Sequence, residues 1–182
     1  MSLSRSALPP VYYAIFGIYE PALAVFGFFG AMLDPTKTHN MQAPWPPHVS
    51  PPQQLPLATT VTVVQLAHVC GLLGFVNFVF LRTARRYLFG QPALQEKIVG
   101  ALLAPLLVGD VLHLALTLWA LGDVRWNFSE WTVMLWLTVI PGLSLLIPRI
   151  TWHLGIGRYM ESRDGKGKGK GLGANIALSG RL

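Results

Sequence analysis

Residues 98–121 read IVGALLAPLLVGDVLHLALTLWAL, a run of twenty-four positions with one formal charge, Asp110, and one histidine, His113. At ~1.5 Å per residue a helix of this length rises about 36 Å, enough to cross the roughly 30 Å hydrocarbon layer of a bilayer. A carboxylate near the middle of such a run costs about 2.5–3.5 kcal/mol on insertion scales, which marks it as a candidate for function.

Three further stretches have the same character, at approximately 11–33, 58–81 and 131–154, the first holding Glu20 and the second His68. The 182-residue chain is 52% hydrophobic and 12% charged, too poor in polar side chains to clothe a water-soluble domain. Four spans cannot close a barrel, and unpaired backbone groups are costly in lipid, so the fold class is all-α: an integral membrane four-helix bundle. The net charge of +6 comes from basic residues beside the apolar runs, without an aromatic-interleaved patch, which argues against nucleic acid as a partner. The single cysteine, Cys70, lies inside the second run and reads as a packing residue, with no disulfide framework. The first run follows Ser6-Ala7-Leu8-Pro9-Pro10 and is as long as a full span, so it reads as a retained helix.

With the N-terminus in the cytoplasm, twelve of the fourteen Lys and Arg residues fall on that side and only Lys37 and Arg125 on the other. The positive-inside rule then places both termini in the cytoplasm. The expected organisation is a transmembrane domain over 1–157 and a flexible basic Gly/Lys tail over 158–182. Residues 34–57 hold Pro44, Pro46, Pro47, Pro51, Pro52 and Pro56 around Trp45 and read as an extended connector, with a lid over the bundle as the alternative. Asn127-Phe128-Ser129 matches a glycosylation acceptor on the predicted lumenal side.

Glu20 precedes Pro21, which tends to kink a helix and open space beside the carboxylate. Gln65 and His68 share one face of the second helix, with Gly71 and Gly74 nearby; Asp110, His113 and Thr117 form a polar stripe on the third. Glu20, His68 and Asp110 fall near the midpoints of their spans, so they are expected to meet inside the bundle. Arg149 and His153, near the end of the fourth span, read as interfacial snorkelling residues. Inward aromatics such as Trp136 are candidates to stabilise a cation. Spacings typical of metal sites are missing, as are a serine elbow and a phosphate loop, so neither metal nor cofactor is expected.

The motifs Ile18-Tyr19-Glu20-Pro21, Gly109-Asp110-Val111-Leu112-His113, Trp126 with Trp131, and the stretch from Arg149 to Gly157 resemble those of a family of small fungal integral membrane proteins with four spans. More distantly, the arrangement is similar to the emopamil-binding sterol isomerases and sigma-2-type receptors, and to the membrane terpene cyclases of fungal meroterpenoid pathways. That resemblance implies an isoprenoid or sterol-like substrate, proton-initiated chemistry and an endomembrane such as the endoplasmic reticulum. The expected catalytic set is Glu20, Asp110, His113 and His68, with Gln65, Thr117 and Trp136 toward the substrate. Two other readings stand beside a cyclase or isomerase: a non-enzymatic sterol or lipid binder, and a structural assembly subunit. The oligomeric state is left open.

Overall fold

The computed structural model describes residues 6–165, and among these every regular element is helical. Four helices are long and apolar enough to cross a membrane: α1 Pro10–Leu33, α2 Leu57–Tyr87, α3 Pro92–Ala120 and α4 Val133–His153. They alternate in direction, so residues 6–9, 88–91 and 154–165 share one end, the terminal face, while 34–56 and 121–132 share the other, the loop face. Proline opens α1 and α3, where its missing N–H has no intrahelical partner to lose. α4 is capped by Thr132, whose hydroxyl accepts from the Leu135 N–H at 3.2 Å. α2 continues past 81 to Tyr87 and α3 begins at Pro92 rather than 98, because a helix keeps its own hydrogen bonds in polar turns beyond the apolar run.

α1 is not a uniform helix. Pro21 offers no N–H and its ring crowds the carbonyl four residues back, at Gly17, so Ile15–Tyr19 widens into a π turn in which the Glu20 N–H reaches Ile15 O. The kink expected beside Glu20 is therefore absorbed as a local change of helical register. Gly17 makes room for it: a Cβ there would lie 2.8 Å from the Tyr13 ring.

The closest helix pairs are α1 on α2 and α3 on α4. Small residues permit both approaches. A Cβ on Gly74 would stand 2.5 Å from Ala24 Cβ, and one on Gly142 would stand 3.0 Å from the Leu114 side chain. The two hairpins join at the terminal face around a core of Leu8, Tyr12, Phe16, Leu81, Val99, Leu103 and Trp152. Elsewhere the surface is apolar, with Phe26, Leu33, Leu57 and Phe75 among its exposed side chains, as a bilayer-solvated exterior requires.

The terminal face is closed by a polar latch. The fully buried Gln95 accepts from Ser6 Oγ at 2.8 Å and the Ala7 N–H at 2.9 Å, and donates to Ala84 O at 3.2 Å. Trp152 Nε1 donates to Ala7 O at 2.8 Å. Arg158 lies 3.9 Å over the Trp152 ring, pairs with Glu96 at 2.8 Å and donates from Nε to Trp152 O at 2.6 Å. The expectation of a flexible tail from 158 does not hold over 158–165: Arg158 is buried, and Glu161–Asp164 forms a further helical turn docked on Glu96 through the Glu161 N–H at 2.7 Å. Charge density alone suggested solvation there, whereas Trp152 and Glu96 give Arg158 a stacked and ion-paired site. The Gly/Lys run from Lys166 lies outside the described residues.

Hydrogen bonds from Arg163 and the Met160 N–H hold the Asp164 carboxyl down to about 2. Because this carboxyl is depressed in the fold, its contribution is present above the ordinary aspartate value and fades as the pH drops toward 2.

The α1–α2 contact generates a two-variant test. Gly74→Ala should destabilise the bundle by about 1–3 kcal/mol through overpacking against Ala24. Adding Ala24→Gly should recover most of that loss, both read by thermal unfolding in detergent.

Candidate functional site

Arg149 is fully buried and bridges two other helices. Its Nη2 donates to Glu20 Oε2 of α1 at 2.6 Å, and its Nη1 is ion-paired with Asp110 Oδ2 of α3. Asn77 of α2, also buried, donates from Nδ2 to Glu20 Oε1 at 3.0 Å, so all four spans contribute one side chain. The Arg149 guanidinium carbon sits 5.2 Å from the centroid of the Phe16 ring, which belongs to the core beneath.

Helix direction explains how these groups meet although Arg149 lies near the end of its helix. Each Cα–Cβ bond leans toward the N-terminus of its own helix. Glu20 and Asp110 stand on helices that start at the terminal face and so lean toward it, whereas Arg149 stands on one that ends there and leans inward. A planar guanidinium with two parallel N–H donors suits a paired carboxylate site better than an ammonium would.

On one side the cluster is sealed and on the other it is open. The α2 positions 66, 70, 73, 77, 81 and 84 recur at three- and four-residue intervals and form one face. Asn77, Leu81 and Ala84 are buried, yet Leu66 is 62% and Leu73 50% exposed, and Cys70 is exposed. The facing stripe of α3 repeats the pattern: Gln95, Val99 and Leu103 are buried, Asp110 is partly covered and His113 is exposed. Toward the loop face these two stripes are therefore uncovered, and the Arg149 cluster lies at the level where the cover ends. At the loop face the 34–56 segment crosses between hairpins, through a short helix Pro35–Asn40 and the Thr132 hydroxyl donating to Met41 O at 2.6 Å.

The expected site residues divide accordingly. Glu20 and Asp110 come together, with Arg149 between them. His68 does not join them: nine residues at about 100° each put it on the side of α2 opposite Asn77, where it and Gln65 are exposed. Their level does not suit the site either: Asn77 meets Glu20, and His68 stands nine residues, ~13.5 Å of helix, away from it. His113 is exposed one turn from Asp110, and the Thr117 hydroxyl donates to His113 O at 2.7 Å. Trp136 packs on Trp131, ring centroids 4.9 Å apart, about 20 Å along α4 from Arg149. It belongs to the loop face. Asn127 is exposed there, accepting from Ser129 Oγ at 2.7 Å.

Arg149 itself is the main correction, since it is a buried counter-ion and not an interfacial side chain. His153, one turn on, also turns inward; its Nε2 is buried without a partner and its ring stands edge-on to Trp152 at 5.0 Å. The signal for Arg149 was available in charge balance. Two carboxylates at similar depth require a cation, and Arg149 is the sole Lys or Arg within the 131–154 run. Among the described residues, no three His, Cys, Asp or Glu side chains gather as a metal site.

Residues 5–159 match a family defined so far only as a domain of unknown function, DUF7704. The chain belongs to the DUF7704 family. No curated protein and no solved structure matches it. The DUF7704 match covers every residue of the Glu20–Asn77–Asp110–Arg149 cluster together with the terminal latch through Arg158.

Removing the guanidinium with Arg149→Met should strand two buried carboxyls and destabilise the fold by about 3–5 kcal/mol. Neutralising all three groups together, as Glu20→Gln, Asp110→Asn and Arg149→Met, should cost distinctly less than the single change, measured by chemical unfolding in detergent.

Proposed function

We propose that the protein is a membrane-embedded cyclase or isomerase that acts on an isoprenoid-derived hydrophobic intermediate by delivering a proton from a buried carboxyl group. The observation that carries this reading is the position of the two carboxyls, bridged by Arg149, within the membrane-spanning helices at the level where the stripes of α2 and α3 lose their cover. An oily substrate would enter laterally from the lipid, with no aqueous passage to cross. Two carboxylates and one guanidinium carry a formal charge of −1, so one bound proton makes the cluster neutral, the form that low-dielectric surroundings favour.

In this reading Asp110, partly covered and one turn from the exposed His113, adds its proton to an alkene carbon or an epoxide oxygen of the substrate. Arg149 is a positioning residue that balances the carboxylate left behind, and Glu20 is fixed by Arg149 and Asn77. Loss of a proton from the resulting cation to the Asp110 carboxylate, or through His113, restores a double bond and the acid. Substrate and product are therefore isomers, and no co-reactant is consumed. The hydrocarbon surroundings of the spanning helices protect the cation from water. The basic residues at the terminal face, Arg82, Arg85, Arg86 and Lys97, favour a cytoplasmic orientation of that face, in the endoplasmic reticulum or another endomembrane.

A second reading is a non-enzymatic sterol or lipid binder, and one observation favours it: Arg149 engages both carboxyls, while its Nε–H is buried without an acceptor. That donor suits a ligand hydroxyl.

Membranes carrying the full chain, incubated with terminal epoxides of farnesylated phenols, should yield a product isomeric with the substrate. Asp110→Asn should reduce it by roughly 10²–10⁴-fold, and Glu20→Gln should also lower it, with both proteins still folded. Undiminished product from both variants would defeat the mechanism. Saturable retention of the epoxide or of ergosterol without any product would establish the binder instead.

A further inference from the structure

Two apolar grooves run along the outer surface of α2, one on each side of Phe75, and neither is lined by a residue of the Arg149 cluster. The first, about 520 Å³, is lined by Phe75, Val79, Thr83 and Tyr87 of α2 with Ile98 of α3. The second, about 330 Å³, lies between Ile18, Pro21 and Phe26 of α1 and Phe75 and Phe78 of α2. Phe75 is the ridge between them and is 62% exposed.

Each groove has a cation at its terminal-face end. The Arg86 guanidinium lies 5.4 Å from the centroid of Tyr87, a wall of the first groove, and that of Arg82 lies 5.9 Å from the centroid of Phe78, a wall of the second. Both side chains are exposed, and among the described residues neither forms an ion pair. They are four residues apart and therefore neighbours on one helix face. That face also carries Phe75, Phe78 and Val79 one to three turns deeper. α2 is 31 residues long, about 46 Å of helix, so its last turns stand beyond a hydrocarbon layer of roughly 30 Å, at headgroup level.

We propose that this surface is a binding site for one anionic diacyl phospholipid, which straddles α2 with an acyl chain in each groove and its phosphate held by Arg82 and Arg86. Two apolar channels diverging from a single pair of unpaired cations match a ligand with two hydrocarbon tails and one negative head. A free phosphate would leave the grooves unused, and a single-chain lipid would fill one of them. Guanidinium groups supply paired donors to phosphate oxygens.

The test uses the full chain in neutral detergent, analysed by native mass spectrometry after exposure to dioleoyl phosphatidylglycerol, dioleoyl phosphatidylcholine, oleoyl lysophosphatidylglycerol or inorganic phosphate. The wild type should retain one phosphatidylglycerol with a preference of roughly thirtyfold over phosphatidylcholine, the sum expected of two interfacial arginines. It should hold lysophosphatidylglycerol and inorganic phosphate far less well. Arg82→Gln with Arg86→Gln should abolish the preference, whereas the Lys pair at the same positions should keep much of it. Val79→Trp, which fills the first groove and leaves both cations in place, should reduce retention of the diacyl lipid toward that of the lyso form. Equal retention of the two diacyl lipids by the wild type, or equal retention of diacyl and lyso forms, would overturn the proposal. So would an unchanged preference in the Gln pair, which lies away from the core and is expected to fold.

Discussion

A fully buried guanidinium held between two carboxyls fixes the relation of α1, α3 and α4. Apolar packing does not orient helices strongly in a bilayer, because lipid tails are as apolar as leucine. Ion-paired and hydrogen-bonded groups do, since any arrangement that separates them exposes charge to hydrocarbon. Asn77 extends the constraint to α2 through Glu20, so one small cluster specifies the whole bundle. The π turn, the proline that forces it and Phe16 beneath Arg149 are concentrated at the same level of α1.

The molecule is asymmetric about this cluster. Toward the terminal face it is closed twice, by the Phe16–Leu103–Trp152 core and by the Gln95 and Arg158 latch. Toward the loop face the stripes of α2 and α3 lose their cover. Polar groups at the base of an opening have a different prospect from polar groups in a sealed core, because they can meet something that enters. That contrast separates a site from a structural salt bridge, and it is the reason the functional proposal rests on the exposure of Leu66, Leu73 and His113 as much as on the ion pairs.

Much of this was legible in the residues. Four apolar runs gave four spanning helices, since hydropathy over about twenty residues answers directly to bilayer thickness. The pairing of Glu20 with Asp110 followed from depth. Depth counted from the apolar run misplaced His68 and Gln65, because α2 runs on to Tyr87 and meets Glu20 at Asn77, nine residues beyond His68 and on the opposite side of the helix. Arg149 was misread because its Cα lies near an interface, while its side chain leans toward the membrane centre. Arg158 was assigned to the tail by composition, although Trp152 and Glu96 anchor it. In each case the missing information was direction or tertiary partner, which hydropathy and spacing do not encode.

The central claim is the Arg149 bridge, and distance measurement in a bilayer addresses it without any assay of function. Solid-state NMR on the full chain in liposomes, with ¹⁵N in the arginine guanidinium and ¹³C in the side-chain carboxyls, reads the separation by dipolar recoupling. The account predicts that Arg149 couples to both Glu20 and Asp110 at ion-pair range, about 4 Å, and that each coupling vanishes with the corresponding Gln or Asn variant. An Arg149 guanidinium coupled to neither carboxyl, and exchanging freely with water or lipid phosphate, would contradict it.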